Sequence, residues 1–239
     1  MSFYQWQKAA AALFFPQRHC LNCGALAVDR PLCAACEQGR SSLRHCPLCA
    51  SFIAATETER YLCPDCRHHH PSFTAAAAAL PYEGRLREIL IAFKYQQRTG
   101  FRRPLAALLL EVLAERYADI AFSAIVPVPL HPARLRQRGY NQAELLSQLI
   151  AKETGLPHHP EWLQRSEDTP PLAELGRGER LKTLRSVFTA VPEVAGQQLL
   201  LIDDIFTTGA TAESCSRALL QQGASGVYVL AVAAGYALP

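Results

Sequence analysis

The sequence predicts an α/β domain, in which a mainly parallel sheet is covered by helices on both faces, preceded by a small N-terminal zinc-ribbon module. Two observations indicate this class of fold. Short apolar stretches alternate with amphipathic helical stretches from residue 74 onward, which is typical of a parallel sheet. Residues 16–70 are rich in Cys, His and Pro and poor in long apolar runs, so they need a staple such as a metal ion.

The elements of the α/β part follow from apolar spacing and from helix start and stop signals. A helix is predicted at 84–95 because its apolar residues recur at helical spacing. Asn141 and Gly155 are the expected N-cap and stop of another helix. The other predicted elements are an amphipathic helix at 2–15, strands at 74–82, 124–129, 198–204 and 227–234, and helices at 104–117 and 209–223.

The chain has 239 residues, of which 49% are hydrophobic, and a formal net charge of +3. This length suits one full core and a small additional module, which we place at 74–239 and 1–70. The first 15 residues lack the basic start of a secretory signal, and no apolar run approaches the roughly 20 residues that a membrane-spanning helix needs. We therefore expect a cytoplasmic protein without membrane insertion.

Eight of the nine cysteines form four C-x-x-C pairs, which indicates metal binding in a reducing compartment. Eight thiolates suit two structural tetrahedral Zn²⁺ sites, whereas iron–sulfur or redox use is the alternative. Sharing of the first pair with the second and of the third with the fourth is simplest, although interleaved sharing and substitution by nearby histidines stay open. Cys215 is expected to be a buried inert thiol. The paired residues are Cys20, Cys23, Cys33, Cys36, Cys46, Cys49, Cys63 and Cys66.

The segment LLLIDDIFTTGAT (199–211) places two acids after a buried strand and before a turn of small and hydroxyl residues. Ligands of open parallel sheets bind at the carboxyl ends of strands, so Asp203 and Asp204 are candidates to accept hydrogen bonds from ribose hydroxyls. Small residues at a helix start let a phosphate approach backbone N–H groups. An ordinary capped helix after solvated acids is the alternative. The expected phosphate-binding residues are Thr207, Thr208, Gly209, Ala210 and Thr211.

This run resembles the phosphoribosyl diphosphate (PRPP) signature of type I phosphoribosyltransferases. In that superfamily the two acids bind the ribose 2′- and 3′-hydroxyls, and the loop binds the 5′-phosphate. The purine-salvage members have an Asp at the position of Thr207, so the resemblance does not favour a 6-oxopurine acceptor here. It implies a type I phosphoribosyltransferase-like fold for residues 74–239, with Mg²⁺ accompanying PRPP.

A second stretch, VPVPLHPARLRQRGYNQAELL (126–146), is similar to the hallmark of the ComF family, and IAFKYQQRTG (91–100) extends the match. That family joins a cysteine-rich zinc head to a phosphoribosyltransferase-like domain and includes proteins of competence and DNA utilisation. The resemblance implies that the loop carrying Arg134 and Arg138 binds pyrophosphate. Together with these arginines, Lys94 belongs to a basic, anion-binding cleft. The family also implies a DNA helicase or translocase as a partner.

Three functions remain open at this point. The protein is an enzyme that transfers ribose 5-phosphate to an unknown acceptor, or a non-catalytic sensor of ribose phosphates, or a protein that binds single-stranded DNA. Residues 84–103 contain six Lys or Arg against one acid, which would suit a DNA backbone, and Tyr95, Phe101 and Tyr140 are candidates for base stacking. The segment 169–188 is expected to form a hood over the acceptor, although it departs from the family at Leu172 and Thr183.

Overall fold

The computed structural model describes residues 19–53, 62–167 and 187–237. The predicted helix at 2–15 and most of the predicted hood at 169–188 lie outside these ranges. The helices are α1 (Ala34–Ser41), α2 (Pro64–His68), α3 (Gly84–Tyr95), α4 (Arg102–Arg116), α5 (Pro132–Arg138), α6 (Gln142–Thr154) and α7 (Ala210–Gln221). The strands are β1 (Ala75–Pro81), β2 (Ala124–Pro127), β3 (Leu163–Arg165), β4 (Phe188–Ala190), β5 (Gln198–Phe206) and β6 (Gly226–Ala234).

A parallel four-stranded sheet in the order β1-β6-β5-β2 forms the centre of the fold. Its two central strands are almost wholly buried, which explains their continuous apolar sequences. Alternate residues of β5 point to opposite faces, so Leu200 joins the core beneath α3, α4 and α6, whereas Leu201 joins the core beneath α7. The predicted mainly parallel sheet with helices on both faces is therefore confirmed.

The helix boundaries agree closely with the sequence signals. Helix α3 spans the predicted residues, and its four apolar side chains are buried. The Asn141 side chain accepts a hydrogen bond from the Ala143 N–H at the start of α6, and Gly155 ends that helix in the left-handed conformation, with φ +73°. A short antiparallel pair, β3 with β4, was not predicted, and it packs against α7.

The cysteine-rich segment lies against the β1 edge of the sheet and contributes to both cores. Cys20 and Leu21 belong to the core beneath α3 and α4, whereas Cys46 and Phe52 belong to the core beneath α7. The Ala76 N–H donates to the Leu48 carbonyl at 2.8 Å, so the head covers a strand edge that would otherwise be unpaired. Cys215 is fully buried in the second core, as predicted, and burial raises its pKa. Within the described ranges, no helix combines the length and the apolar character needed to cross a bilayer.

Candidate functional site

The two acids lie near the carboxyl end of β5, but the strand is longer than predicted. It continues through Asp203 and Asp204 to Phe206, because Asp203 and Ile205 remain paired with β6. The turn at residues 207–209 then leads directly into α7. The acids are therefore held by a regular sheet rather than by a loop, which limits their backbone motion.

Gly209 gives the turn its shape. Its φ of +72° is a left-handed conformation that side chains disfavour, and it stands at the N-cap position of α7. A Cβ at this position would lie only 2.7 Å from Cζ of Phe206, a residue that is 3% exposed. The close approach of the Phe206 ring to the backbone therefore requires glycine at position 209. The absence of a side chain there also leaves the start of α7 open toward the cleft.

Asp204 and Lys94 form an ion pair between β5 and α3. Lys94 Nζ lies 3.4 Å from Oδ1 and 3.4 Å from Oδ2 of Asp204, whose carboxylate is largely buried. The charge of Asp204 raises the pKa of Lys94, while burial acts in the opposite direction. The sequence placed Lys94 among anion-binding residues and did not predict this pairing with Asp204.

Asp203 has a different electrostatic environment from its neighbour. Its Oδ1 accepts a hydrogen bond from the Asp204 N–H at 2.8 Å. Burial first, and repulsion from Asp204 second, raise the pKa of Asp203 to about 8, although Lys94 acts in the opposite direction. Two adjacent carboxyls in a buried site disfavour each other's ionisation, which is the direction in which the pKa of Asp203 is shifted.

The two arginines predicted for a loop after β2 lie instead on a helix, α5. Pro132 starts that helix, and the His131 Nδ1 atom accepts a hydrogen bond from the Ala133 N–H at 3.3 Å. Arg138 donates to Gln142 Oε1 at 2.6 Å, and its guanidinium lies 5.2 Å from the ring centroid of Tyr95. A helix holds Arg134 and Arg138 in a more defined direction than the expected loop would.

These groups line one cleft of 1120 Å³ at the carboxyl edge of the sheet. Parallel strands bring their carboxyl ends together, which explains why segments far apart in sequence converge there. The residues predicted for PRPP binding all line this cleft, namely Lys94, Arg134, Arg138, Asp203, Asp204, Thr207, Thr208, Gly209, Ala210 and Thr211.

Sequence reasoning missed one wall of the cleft. Cys49 and Ser51 of the cysteine-rich head line it, together with His69, His70 and Pro71 of the segment that follows the head. From the sequence, the histidines near the cysteines were expected only as possible substitute metal ligands. No local pattern could have shown that they face the acids of β5, because that placement depends on how the head packs on the sheet.

The eight paired cysteines form two clusters with sequential sharing, as predicted. Within each cluster the Sγ atoms lie within 4.8 Å of one another, and the interleaved alternative is wrong. The first cluster contains Cys20, Cys23, Cys33 and Cys36, and the second contains Cys46, Cys49, Cys63 and Cys66. Across the part of the chain that the structure describes, neither cluster includes a histidine, so four thiols complete each set.

Both clusters have the same local construction and fit a tetrahedral metal ion. In each, the first C-x-x-C pair forms a tight turn, in which the residue after the second cysteine donates back to the first (Gly24 to Cys20, Ala50 to Cys46). The second pair begins a helix, with Cys33 and Cys63 as N-caps. Zn–S bonds of about 2.3 Å place sulfurs about 3.8 Å apart.

The sulfur distances and pKa values agree with such a site. The Cys23–Cys33 and Cys49–Cys63 Sγ distances are 3.6 and 3.5 Å, close to the edge of a ZnS₄ tetrahedron. Burial raises the pKa of Cys36 to about 12, and the hydrogen bond with Cys46 raises that of Cys49 to about 12. Four crowded thiols therefore do not all ionise unaided, and a divalent cation is what would stabilise four thiolates together.

Comparison with known proteins gives relatives over most of the chain. Competence protein F of Haemophilus influenzae is 30% identical over 224 residues, which cover 90% of this chain and 96% of that protein. The DNA utilization protein YhgH of Escherichia coli is 29% identical, with 83% and 94% covered. Competence protein ComFC of Bacillus subtilis is 27% identical, with 82% and 80% covered. No family model matches the chain.

Among solved structures, the chain is similar to the allosteric regulatory enzyme of purine biosynthesis, with a TM-score of 0.41 and 18% identity. It is also similar to the glutamine PRPP amidotransferase of B. subtilis complexed with ADP and GMP, with a TM-score of 0.39 and 18% identity. Each comparison covers 59% of this chain and 30% of the other. Because competence protein F is 30% identical and is matched over nearly its whole length, the chain belongs to the ComF family.

Proposed function

We propose that this protein binds PRPP in the cleft at the carboxyl edge of the sheet. The observation that carries the proposal is the convergence of three kinds of group on one cavity: an acid pair, a glycine turn at a helix start, and the basic residues of α3 and α5. Each kind matches one part of PRPP, which has ribose hydroxyls, a 5′-phosphate and a pyrophosphate.

Charge complementarity supports a specific assignment of these groups. Asp203 and Asp204 would accept hydrogen bonds from the ribose hydroxyls, and the N–H groups after Gly209 would bind the 5′-phosphate. Arg134 and Arg138 would bind the pyrophosphate through planar guanidinium donors. Carboxylate and phosphate oxygens suit Mg²⁺, so Asp203 and Asp204 would help to hold this ion together with PRPP, and its charge would partly neutralise the pyrophosphate.

The reaction class that fits this site is phosphoribosyl transfer to an acceptor of unknown identity. In such a reaction, charged groups of the site can stabilise an oxocarbenium-like centre. A site of this kind therefore needs well-placed carboxylates more than a dedicated base. The relatives named for competence and DNA utilisation support a role in the uptake or use of extracellular DNA. A non-catalytic sensor of ribose phosphates would use the same contacts without releasing pyrophosphate.

Single-stranded DNA binding is the second candidate, and one observation favours it. The arginines of the 84–103 segment are exposed, and Tyr95, which lines the cleft, is 68% exposed. Tyr95 is thus available for base stacking, whereas Phe101 and Tyr140 pack against the core. A DNA helicase or translocase partner would deliver such a strand. The exposed arginines are Arg85, Arg87, Arg98, Arg102 and Arg103.

Calorimetric titration with PRPP and Mg²⁺ tests the first proposal directly. We expect saturable binding by the wild type. At a pH above the raised pKa of Asp203, which is about 8, both acids are ionised. There the Asp203→Asn, Asp204→Asn double variant should lose about two orders of magnitude or more in affinity, because two charge-assisted hydrogen bonds of about 1.5–3 kcal/mol each are weakened. Asp119→Asn, at an exposed acid outside the cleft, is the matched control. Absence of PRPP binding by the wild type would refute the proposal.

Pyrophosphate release separates an enzyme from a sensor. PRPP with Mg²⁺ is incubated with the protein and a panel of candidate acceptors, and pyrophosphate is measured over time. Acceptor-dependent release that is lost in the double variant establishes transfer. Binding without release under every condition supports the non-catalytic alternative.

A further inference from the structure

Glu213 is a buried acid whose contacts connect two distant parts of the chain. It lies in the first turn of α7, directly after the turn that contains Gly209, and it is only 9% exposed. The Ser72 N–H donates to its Oε2 at 2.7 Å, and the Ser72 hydroxyl donates to its Oε1 at 2.7 Å. Arg217 Nε also donates to Oε1 at 2.7 Å, from one turn further along the helix.

Ser72 belongs to the short segment that joins the second cysteine cluster to β1. The segment starts after Cys66 and α2, and its residues His70 and Pro71 line the cleft. The other side of the same cluster is attached to the end of β6, where the Phe52 N–H donates to Gly235 and the Ala237 N–H donates to Phe52. The second cluster is therefore connected to the site by hydrogen bonds at two places, through Ser72 and through Phe52.

Among the described residues, the first cluster shows no such attachment to the site, and it provides an internal comparison. Its cysteine-rich segment packs into the core beneath α3 and α4, on the opposite face of the sheet from α7. Among the described residues that line the cleft, the cysteine present is Cys49 of the second cluster. In the described ranges, the second cluster is therefore the one placed to affect the glycine turn.

We propose that Glu213 is a positioning residue that couples metal binding by the second cysteine cluster to the shape of the turn at residues 207–209. A metal ion there would fix α2 and the segment that follows it, so that Ser72 is presented to Glu213 in one geometry. The two hydrogen bonds then hold the first turn of α7, whose N–H groups face the cleft. Loss of the metal ion releases Ser72 and loosens this turn.

The coupling between metal binding and PRPP binding can be measured from either side, because thermodynamic linkage is reciprocal. If metal binding strengthens PRPP binding, PRPP must strengthen metal binding by the same factor. Coupling of this kind is commonly about 5- to 150-fold, and we expect roughly tenfold for a contact of two hydrogen bonds. This reciprocal effect rests on the proposed PRPP function, whereas the mechanical link between cluster and turn does not.

The first experiment measures zinc loss from the full chain to a chromogenic chelator, with and without PRPP and Mg²⁺. The Cys23→Ser variant, altered at an exposed ligand of the first cluster, confines the signal to the second cluster. We expect PRPP to slow zinc loss about tenfold in this background. Glu213→Ala should abolish the effect, Glu213→Gln should restore part of it, and Arg217→Gln, which leaves Ser72 bound, should retain it.

The second experiment measures hydrogen exchange of the amides at 207–211 in zinc-loaded and zinc-depleted protein, without PRPP. In the wild type, depletion should speed this exchange, whereas in Glu213→Ala exchange should already be fast and insensitive to zinc. Zinc-sensitive exchange without any PRPP binding would refute the proposed function alone. Exchange that ignores zinc in the wild type, or a zinc effect that survives in Glu213→Ala, would overturn the coupling.

Discussion

Replacing Gly209 by alanine tests whether the turn between β5 and α7 is built for a ligand. The substitution adds one methyl group at a φ of +72°, and that methyl would lie 2.7 Å from Cζ and 3.1 Å from Cε1 of the Phe206 ring. The ring cannot simply move away, because it is buried and packs edge-to-face against Phe73 with ring centroids 5.9 Å apart. The strain of the added methyl group therefore falls on the backbone of the turn.

The magnitude follows from two separate costs. A side chain in the left-handed conformation costs about 1–2 kcal/mol. Overpacking against a buried ring adds about 1–3 kcal/mol. We therefore expect the free energy of unfolding to fall by about 2–5 kcal/mol if the turn keeps its shape. If the turn relaxes instead, part of this cost appears as weaker PRPP binding, at about tenfold per 1.4 kcal/mol.

Gly155→Ala is the matched control. Gly155 has nearly the same φ, +73°, but an added Cβ there meets no atom within 4 Å. It should lose only the conformational cost of about 1–2 kcal/mol and should bind PRPP as the wild type does. Urea unfolding and calorimetric titration of both variants give the two quantities. The reasoning fails if Gly209→Ala loses no more stability than Gly155→Ala and also binds PRPP normally.

Four further predictions concern protons, metal and salt. Because the pKa of Asp203 is raised to about 8, PRPP binding that requires its carboxylate should strengthen as pH rises toward 8 and then level off. In calorimetric titrations, the affinity of Asp203→Asn for PRPP should depend less on pH. For the same reason the folded state holds a proton that the unfolded state loses near pH 4, so stability measured by urea unfolding should fall between about pH 4 and 8 in the wild type and less in Asp203→Asn. Elemental analysis should find about two zinc ions per chain, and a metal-free or iron-containing protein would contradict the cluster assignment. Zinc removal should lower the melting temperature of the whole protein, since both clusters contribute to the cores. If single-stranded DNA binds the exposed arginines, its affinity should fall steeply with salt, as measured by fluorescence anisotropy, and salt-independent binding would argue against that surface.

The sequence alone determined the features that depend on neighbouring residues. Apolar spacing located α3 to the residue, and side-chain chemistry located the ends of α6 at Asn141 and Gly155. The order of the C-x-x-C pairs made sequential sharing the simplest arrangement, which the structure confirms, although the sequence left interleaved sharing open. The turn with Gly209 was recognisable because the residues that form it are consecutive in the sequence.

Helix α5 and the full length of β5 were not recognisable in the same way. The Arg-rich segment after β2 carries no long apolar stripe, so nothing local distinguished a short helix from a loop. The two acids argued for a strand end before residue 205, but pairing with β6 continues the strand to Phe206. Backbone hydrogen bonding with a neighbouring strand outweighed the local preference of the acids for a turn.

Tertiary structure alone decided the contacts that connect the parts of the site. Lys94 meets Asp204 across 110 residues of sequence, and Ser72 meets Glu213 across 141. The wall of the cleft formed by His69 and His70 also exists only because the head packs on the β1 edge of the sheet. A local sequence pattern depends on the conformation of a few neighbouring residues. These contacts depend instead on how the two cores pack, to which each position contributes only a small part.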